Sequence, residues 1–198
     1  MKTVILGGTF NPVHIGHLYL AEEVKLSLNY ERVIFIPAYI PAHKEPDHST
    51  TAVQRLEMLR CAVFNTDFVV DSCEIQRGGV SYTIDTIDQI NENYNVTGKP
   101  GLVIGDDLVD GFQKWKEWET LIEKVDLIVA HRSYREEVSC EFAHTYLNNI
   151  ILPISSSDIR ARVEKGLSFR YFVPESVFSY IEENQVYGTA ESGAEHSG

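Results

Sequence analysis

No apolar run in this chain of 198 residues approaches the ~20 residues a membrane-spanning helix needs. The opening Met1-Lys2-Thr3 leads into a short strand-like run, Val4-Ile5-Leu6, and not into the apolar stretch of a secretory leader. Cysteine is scarce. Cys61, Cys73 and Cys140 show neither metal-ligand spacing nor a disulfide framework, so the expectation is reduced thiols in a cytoplasmic protein. Positive charge is scarce too: 17 Lys and Arg against 29 Asp and Glu give a formal net charge of −12. That sign excludes a protein held on a nucleic-acid polymer by its phosphates. A small polyphosphate is still a feasible ligand wherever the few cations converge. Two common nucleotide-binding devices are absent, since neither G-x-x-x-x-G-K-[ST] nor G-x-G-x-x-G occurs. Their absence removes the P-loop enzymes and the dinucleotide-dependent oxidoreductases.

Hydrophobic residues make up 43% and charged residues 23% of the chain, the balance of a globular protein with one good core. Apolar, β-rich segments at 2–7, 32–37, 68–70, 101–105, 126–131 and 149–152 alternate with helical periodicity at 17–29, 51–64, 82–94, 116–124, 156–165 and 174–184. Alternation of this kind, with near-continuous apolar strands, predicts an α/β fold: a single doubly wound, Rossmann-like parallel sheet with helices on both faces. The last helices form a small C-terminal extension. Residues 1–187 read as one domain, and the small polar residues of 188–198 read as a disordered tail. The proline- and histidine-bearing stretch Ala38 to Thr50 reads as a loop after the second strand. Ligands of such sheets bind beyond the strand ends where strand order reverses. With a 3-2-1-4-5 order, the ends of strands 2–7 and 101–105 border that crevice.

The first of those ends is the richest segment, Gly7-Gly8-Thr9-Phe10-Asn11-Pro12-Val13-His14-Ile15-Gly16-His17. Glycines let backbone approach an anion closely, and a helix opening presents free N–H groups at the positive end of its dipole. His14 and His17, three apart, share one side of that opening. Gly16 between them leaves room for a ligand. A second helix opening, Ile154-Ser155-Ser156-Ser157-Asp158-Ile159-Arg160, offers hydroxyls and a forked cation, with Ser156 or Ser157 as N-cap.

These two segments resemble the paired signatures of the nucleotidylyltransferases, (H/T)-x-G-H and I-S-S-T-x-[IV]-R. Residues 2–187 are most similar to the bacterial nicotinate-nucleotide adenylyltransferase family. Pro41-Ala42-His43-Lys44 resembles its P-x-H-[KR] loop, and Ser81-Tyr82-Thr83 its S-Y-T. Ile104-Gly105-Asp106-Asp107 resembles I-G-[AS]-D, while Phe112-Gln113-Lys114-Trp115-Lys116 is similar to its tryptophan segment. Arg132 matches a family arginine. Two positions depart from the pattern. Asp106 replaces a small residue, its added charge either weakening ATP binding or pointing to solvent, and Asn11 stands where many relatives carry Asp.

The resemblance implies transfer of AMP from ATP to nicotinate mononucleotide by direct in-line displacement. It puts His14 and His17 on the ATP phosphates and Arg160 with Ser155, Ser156 and Ser157 on the β,γ-phosphates. Lys44 and Arg132 offset charge on the mononucleotide. Thr83 and Trp115, with Lys116 beside it, hold the pyridine, and Asp107 lies near the ribose. Gly7, Gly8, Thr9, Phe10, Gly105 and Ile154 complete the walls. Mg²⁺ is expected to arrive with ATP and to need no dedicated protein site. The same chemistry on nicotinamide mononucleotide or another phosphate acceptor, and a nucleotide sensor without catalysis, are the alternatives. Oligomeric state has no sequence signature here.

Overall fold

The structure, a computed structural model, describes residues 1–42, 49–132 and 140–188. Lys44 and the expected tail therefore lie outside the described residues, the tail except for Gly188. Strands β1 (Thr3–Gly8), β2 (Arg32–Pro37), β3 (Ile40–Pro41), β4 (Val69–Val70), β5 (Val80–Ser81), β6 (Gly101–Gly105), β7 (Asp126–Ala130) and β8 (Thr145–Leu147) are joined by helices. These are α1 (Ile15–Ser27), α2 (Ala52–Val63), α3 (Cys73–Arg77), α4 (Thr83–Asn93), α5 (Trp118–Lys124), α6 (Ser156–Glu164) and α7 (Glu175–Glu183). Short 3₁₀ helices span Asp106–Lys114 and Arg170–Phe172.

The main sheet runs β4-β2-β1-β6-β7-β8, and every pairing in it is parallel. The order reverses between β1 and β6, which makes that boundary the switch point. Alternation along the central strands sorts two cores. Val4, Leu6, Val33, Phe35, Val103 and Ile128 pack with Val24, Met58, Leu59, Ile159 and Val177 from α1, α2, α6 and α7. Ile5, Ile34, Ile36, Leu102, Ile104, Leu127 and Val129 pack with Ile84, Ile87, Ile90, Leu121 and Phe112 on the other face. Period-2 side-chain direction thus serves both helical layers at once. Each fully buried aliphatic side chain contributes about 1.5–3 kcal/mol, and truncating Phe35, fully buried in the first core, costs about 3–5 kcal/mol.

The strand expected at 149–152 is instead Thr145–Leu147. Asn149 explains the displacement. Its side chain accepts from the His131 N–H at 2.8 Å and donates to the His131 carbonyl at 2.9 Å, substituting for a strand neighbour. The apolar run Ile150-Ile151-Leu152 then lines the cleft instead of joining the sheet. The pair β3–β5 was also unforeseen. With the Tyr39 N–H donating to Ser81 Oγ at 2.9 Å, it draws the loop after β2 against the start of α4.

Candidate active site

β1 delivers Gly7 and Gly8 to the switch point. A Cβ on Gly8 would stand 2.9 Å from the Phe10 ring, so only glycine lets the chain fold back there. Phe10, at a φ of 49°, turns its ring inward against Phe35 and His17, centroids 5.6 and 5.0 Å away. Its ring is core; the turn around it is what reaches the cleft. Arg55, buried in α2, braces the turn by donating to the carbonyls of Thr9 at 2.8 Å and Tyr39 at 3.1 Å.

His14 is the N-cap residue of α1, and the helix opens two residues earlier than expected. The His14 and His17 rings stack with centroids 3.7 Å apart. His17 Nδ1 accepts from the His14 N–H at 3.2 Å, which leaves the proton of the neutral His17 ring on Nε2. Burial, and then the Arg132 charge, bring His14 down from 6.5 to about 4. Burial, then His14, then Arg132 hold His17 well below its ordinary value. Both rings are therefore neutral near pH 7, and both still donate.

The C-terminal signature is fastened to this turn. Ser155, not Ser156 or Ser157, is the N-cap of α6; its Oγ accepts from the Asp158 N–H at 3.1 Å and donates to Asp158 Oδ2 at 2.6 Å. Ser156 Oγ donates to the Pro12 carbonyl at 2.9 Å. Arg160 donates to the Asn11 carbonyl at 2.7 Å and to Ser157 Oγ at 3.3 Å. Asn11 itself is a buried junction. Its Oδ1 accepts from Thr50 Oγ1 and Tyr187 OH, each at 2.7 Å, and its Nδ2 donates to Ser49 Oγ at 3.1 Å. An aspartate could not make that last donation.

On the other side of the switch point, Asp107 folds back over Gly105, where a Cβ would stand 2.3 Å from Asp107 Oδ1. Its Oδ2 lies 3.3 Å from Arg132. Asp106 does not point to solvent. It is buried, with Oδ2 3.1 Å from His131 Nδ1, so its charge is engaged within the protein. Further along, Thr83 opens α4 with its first-turn N–H groups free of helical partners. Trp115 packs on Phe112, centroids 5.0 Å apart. Lys116 stands just outside, with Nζ 2.8 Å from Asp85 and over the Tyr82 ring.

Together these parts wall a cleft of about 490 Å³. Of the residues expected from sequence, Gly7, Gly8, Thr9, Phe10, His14, His17, Thr83, Gly105, Asp107, Trp115, Arg132, Ile154 and Ser156 line it. Ser155, Ser157, Arg160 and Lys116 do not; Arg160, with Ser157, holds the Asn11 carbonyl of the adjoining turn, and Lys116 pairs with Asp85. Glu74, His131 and Asn149 line it without having been singled out as site residues. An asparagine beside an apolar run was an available signal for Asn149; Glu74, in the polar segment Asp71-Ser72-Cys73-Glu74-Ile75-Gln76-Arg77, had none. Among the described residues no cluster of three or more His, Cys, Asp or Glu could hold a metal, and no helix is long and apolar enough to cross a membrane.

A family model described as Cytidylyltransferase-like matches residues 5–162. A protein of Borreliella burgdorferi named a probable nicotinate-nucleotide adenylyltransferase is 46% identical over 188 residues, covering 94% of this chain and 97% of that one. The chain belongs to the nicotinate-nucleotide adenylyltransferase family. A Dictyoglomus turgidum protein named as another probable nicotinate-nucleotide adenylyltransferase is 41% identical over 197 residues, covering 94% of this chain and 96% of its own. The solved Plasmodium falciparum nicotinic acid mononucleotide adenylyltransferase complexed with NaAD superposes with a TM-score of 0.76 at 18% identity, covering 94% and 98% of the two chains. At that identity the likeness concerns the fold, and it is the α/β, Rossmann-like fold expected from the strand–helix alternation. Membership of the nicotinate-nucleotide adenylyltransferase family makes the chain a nucleotidyltransferase and accounts for both signatures meeting at one strand end.

Proposed function

We propose that this chain transfers AMP from ATP to nicotinate mononucleotide, releasing pyrophosphate and forming deamido-NAD. A phosphate oxygen of the mononucleotide attacks the α-phosphorus of ATP; the new P–O bond forms as the bond to the β-phosphate oxygen breaks, and the electron pair leaves with pyrophosphate. The attacking group is already ionised, so neither a general base nor a covalent nucleophile is needed. The work is positioning two anions and stabilising the charge that moves onto the leaving group.

The observation that carries this reading is the junction of the two signatures, through Arg160 to the Asn11 carbonyl and Ser156 to the Pro12 carbonyl. Two neutral imidazole donors and the α1 N-terminus thereby share one anion site with the opening of α6. His14 and His17 hold the ATP phosphates. Arg160 supplies a fixed charge from behind, and Ser155 to Ser157 shape the loop at the β,γ-phosphates. Gly7 to Phe10 and Gly105 give the nucleotide close backbone approach, with Asp107 at the ribose and Ile154 on the adjoining wall. Arg132 and Lys44 offset the mononucleotide phosphate. Thr83 at the α4 opening receives the nicotinate carboxylate, Trp115 stacks on the pyridine, and Lys116 adds positive charge beside that opening. Mg²⁺ enters as part of the ATP substrate, held by phosphates and water.

Pyrophosphate release with ATP and either nicotinate or nicotinamide mononucleotide tests the reading. We expect kcat/KM to favour the nicotinate form. Preference for the carboxamide would overturn the acceptor, and ATP binding without pyrophosphate release from either would make the protein a sensor.

A further inference from the structure

His131 lies on the wall of the cleft with no part in its assigned chemistry, and buried Asp106 stands against it. The Asp106 side chain has no exposure and the His131 side chain 17%. Besides its contact with Asp106, His131 Nδ1 lies 2.8 Å from Tyr146 OH. The backbone of His131 is clamped on both sides by Asn149. Two neighbours thus fix the ring and a third fixes its backbone, yet His131 lies on the wall of the cleft.

Its place in the sheet says which half of the cleft it serves. Ile104 and Val129, two residues before Asp106 and His131, belong to the core that also packs Tyr82, Trp115 and Tyr146. Ile128 and Ala130 belong to the opposite core, which takes α1 and α6. The contact of His131 with Tyr146, which packs on that same core as Trp115 and α4, therefore puts the Asp106–His131 pair on the Trp115 and α4 side.

We infer that His131 is a third substrate-contacting histidine, donating to the anionic mononucleotide, with Asp106 and Tyr146 as its positioning residues. The assignment rests on the acceptor reading given under Proposed function. A carboxylate facing Nδ1 keeps that nitrogen protonated and directs Nε2 to the ligand, as outer partners do for metal-bound histidines. The geometry of His17 is the reverse. There Nδ1 accepts from backbone, and the ring serves as a neutral donor.

Steady-state kinetics of His131→Gln, Asp106→Asn and Tyr146→Phe, with each substrate varied in turn, test the inference. Loss of one charge-assisted hydrogen bond corresponds to a rise of roughly tenfold to a hundredfold in KM for the mononucleotide in His131→Gln. KM for ATP should stay within about twofold. Asp106→Asn and Tyr146→Phe should move the same constant by less, and Asp106→Asn should shift the His131 Nδ1 resonance. In the wild-type protein, the His131 ring ¹⁵N signals should respond to nicotinate mononucleotide alone and much less to inorganic tripolyphosphate. That measurement needs binding and not turnover, so it is independent of whether any variant folds poorly. Wild-type pyrophosphate release judges the proposed reaction. A silent His131 signal, or equal effects of His131→Gln on both substrates, overturns the inference by itself.

Discussion

Acidification should weaken this fold through His14 before its ordinary carboxylates protonate. The folded protein holds His14 at about 4 against 6.5 for an unburied imidazole. The unfolded chain therefore takes up a proton first as pH falls. Stability from the neutral ring is fully present above pH 6.5, declines through the interval down to about 4, and is level below it. At 1.36 kcal/mol per pH unit the gap is worth roughly 3 kcal/mol, a large part of a typical 5–15 kcal/mol domain stability. His17, lowered in the same direction, steepens the decline. Urea unfolding at pH 7.5, 6.5, 5.5 and 4.5 reads the slope. His14→Gln, which keeps a polar side chain but cannot charge, should remove about 1.4 kcal/mol of loss per pH unit in the middle of the window. An unchanged slope in that variant, or a His14 ring signal titrating near 6.5, would refute the argument that burial and Arg132 keep the ring neutral.

Three further outcomes follow from the same geometry. His17→Ala should lower kcat by a factor corresponding to about 3–4 kcal/mol of barrier, a loss larger than its loss of stability in urea unfolding; near-native turnover would remove His17 from the phosphates. Gly105→Ala, whose Cβ meets Asp107 Oδ1 at 2.3 Å and Arg132 Cδ at 3.0 Å, should displace both side chains. We expect a raised KM and unfolding close to wild type, because Asp107 can swing outward. Tyr187→Phe removes one of two hydroxyl donors to Asn11 Oδ1 and should cost about 1 kcal/mol in urea unfolding, with a smaller effect on KM for the mononucleotide than on KM for ATP.

Much of this was legible because the strands are short, buried and separated by amphipathic helices. Val4-Ile5-Leu6 followed by two glycines reads as a strand ending in a close turn, and β1 ends there. What was not legible depended on side chains replacing backbone. Asn149 mimics a strand neighbour of His131, so periodicity assigned a strand to the apolar run that lines the cleft. Ser155 rather than its successors became the cap because Asp158, three residues on, presents the N–H that its hydroxyl reaches. Asp106 read as a charge near phosphates because sequence spacing says nothing of the histidine 25 positions later that meets it. Arg55 is a charge inside a helical apolar pattern, and only the folded turn supplies the two carbonyls that explain its burial.

The two signatures lie nearly at opposite ends of the chain, and loop-closure entropy alone would keep them apart. Arg160 and Ser156 reach the carbonyls of Asn11 and Pro12, while Tyr187, from beyond α7, reaches the Asn11 side chain. These are contacts to the backbone and to a buried amide. They hold the turn with no contribution from a nucleotide. The ordering cost of assembling the anion site is therefore met during folding, through the α6 and α7 packing on the first core, and not during each turnover. Preorganised donors contribute to catalysis because they need no rearrangement as charge develops. On that argument Arg160 acts chiefly by fixing the His14–His17 turn: an Arg160→Lys substitution retains the charge but cannot span Asn11 and Ser157 with one planar fork, and should lower kcat more than it raises KM for ATP.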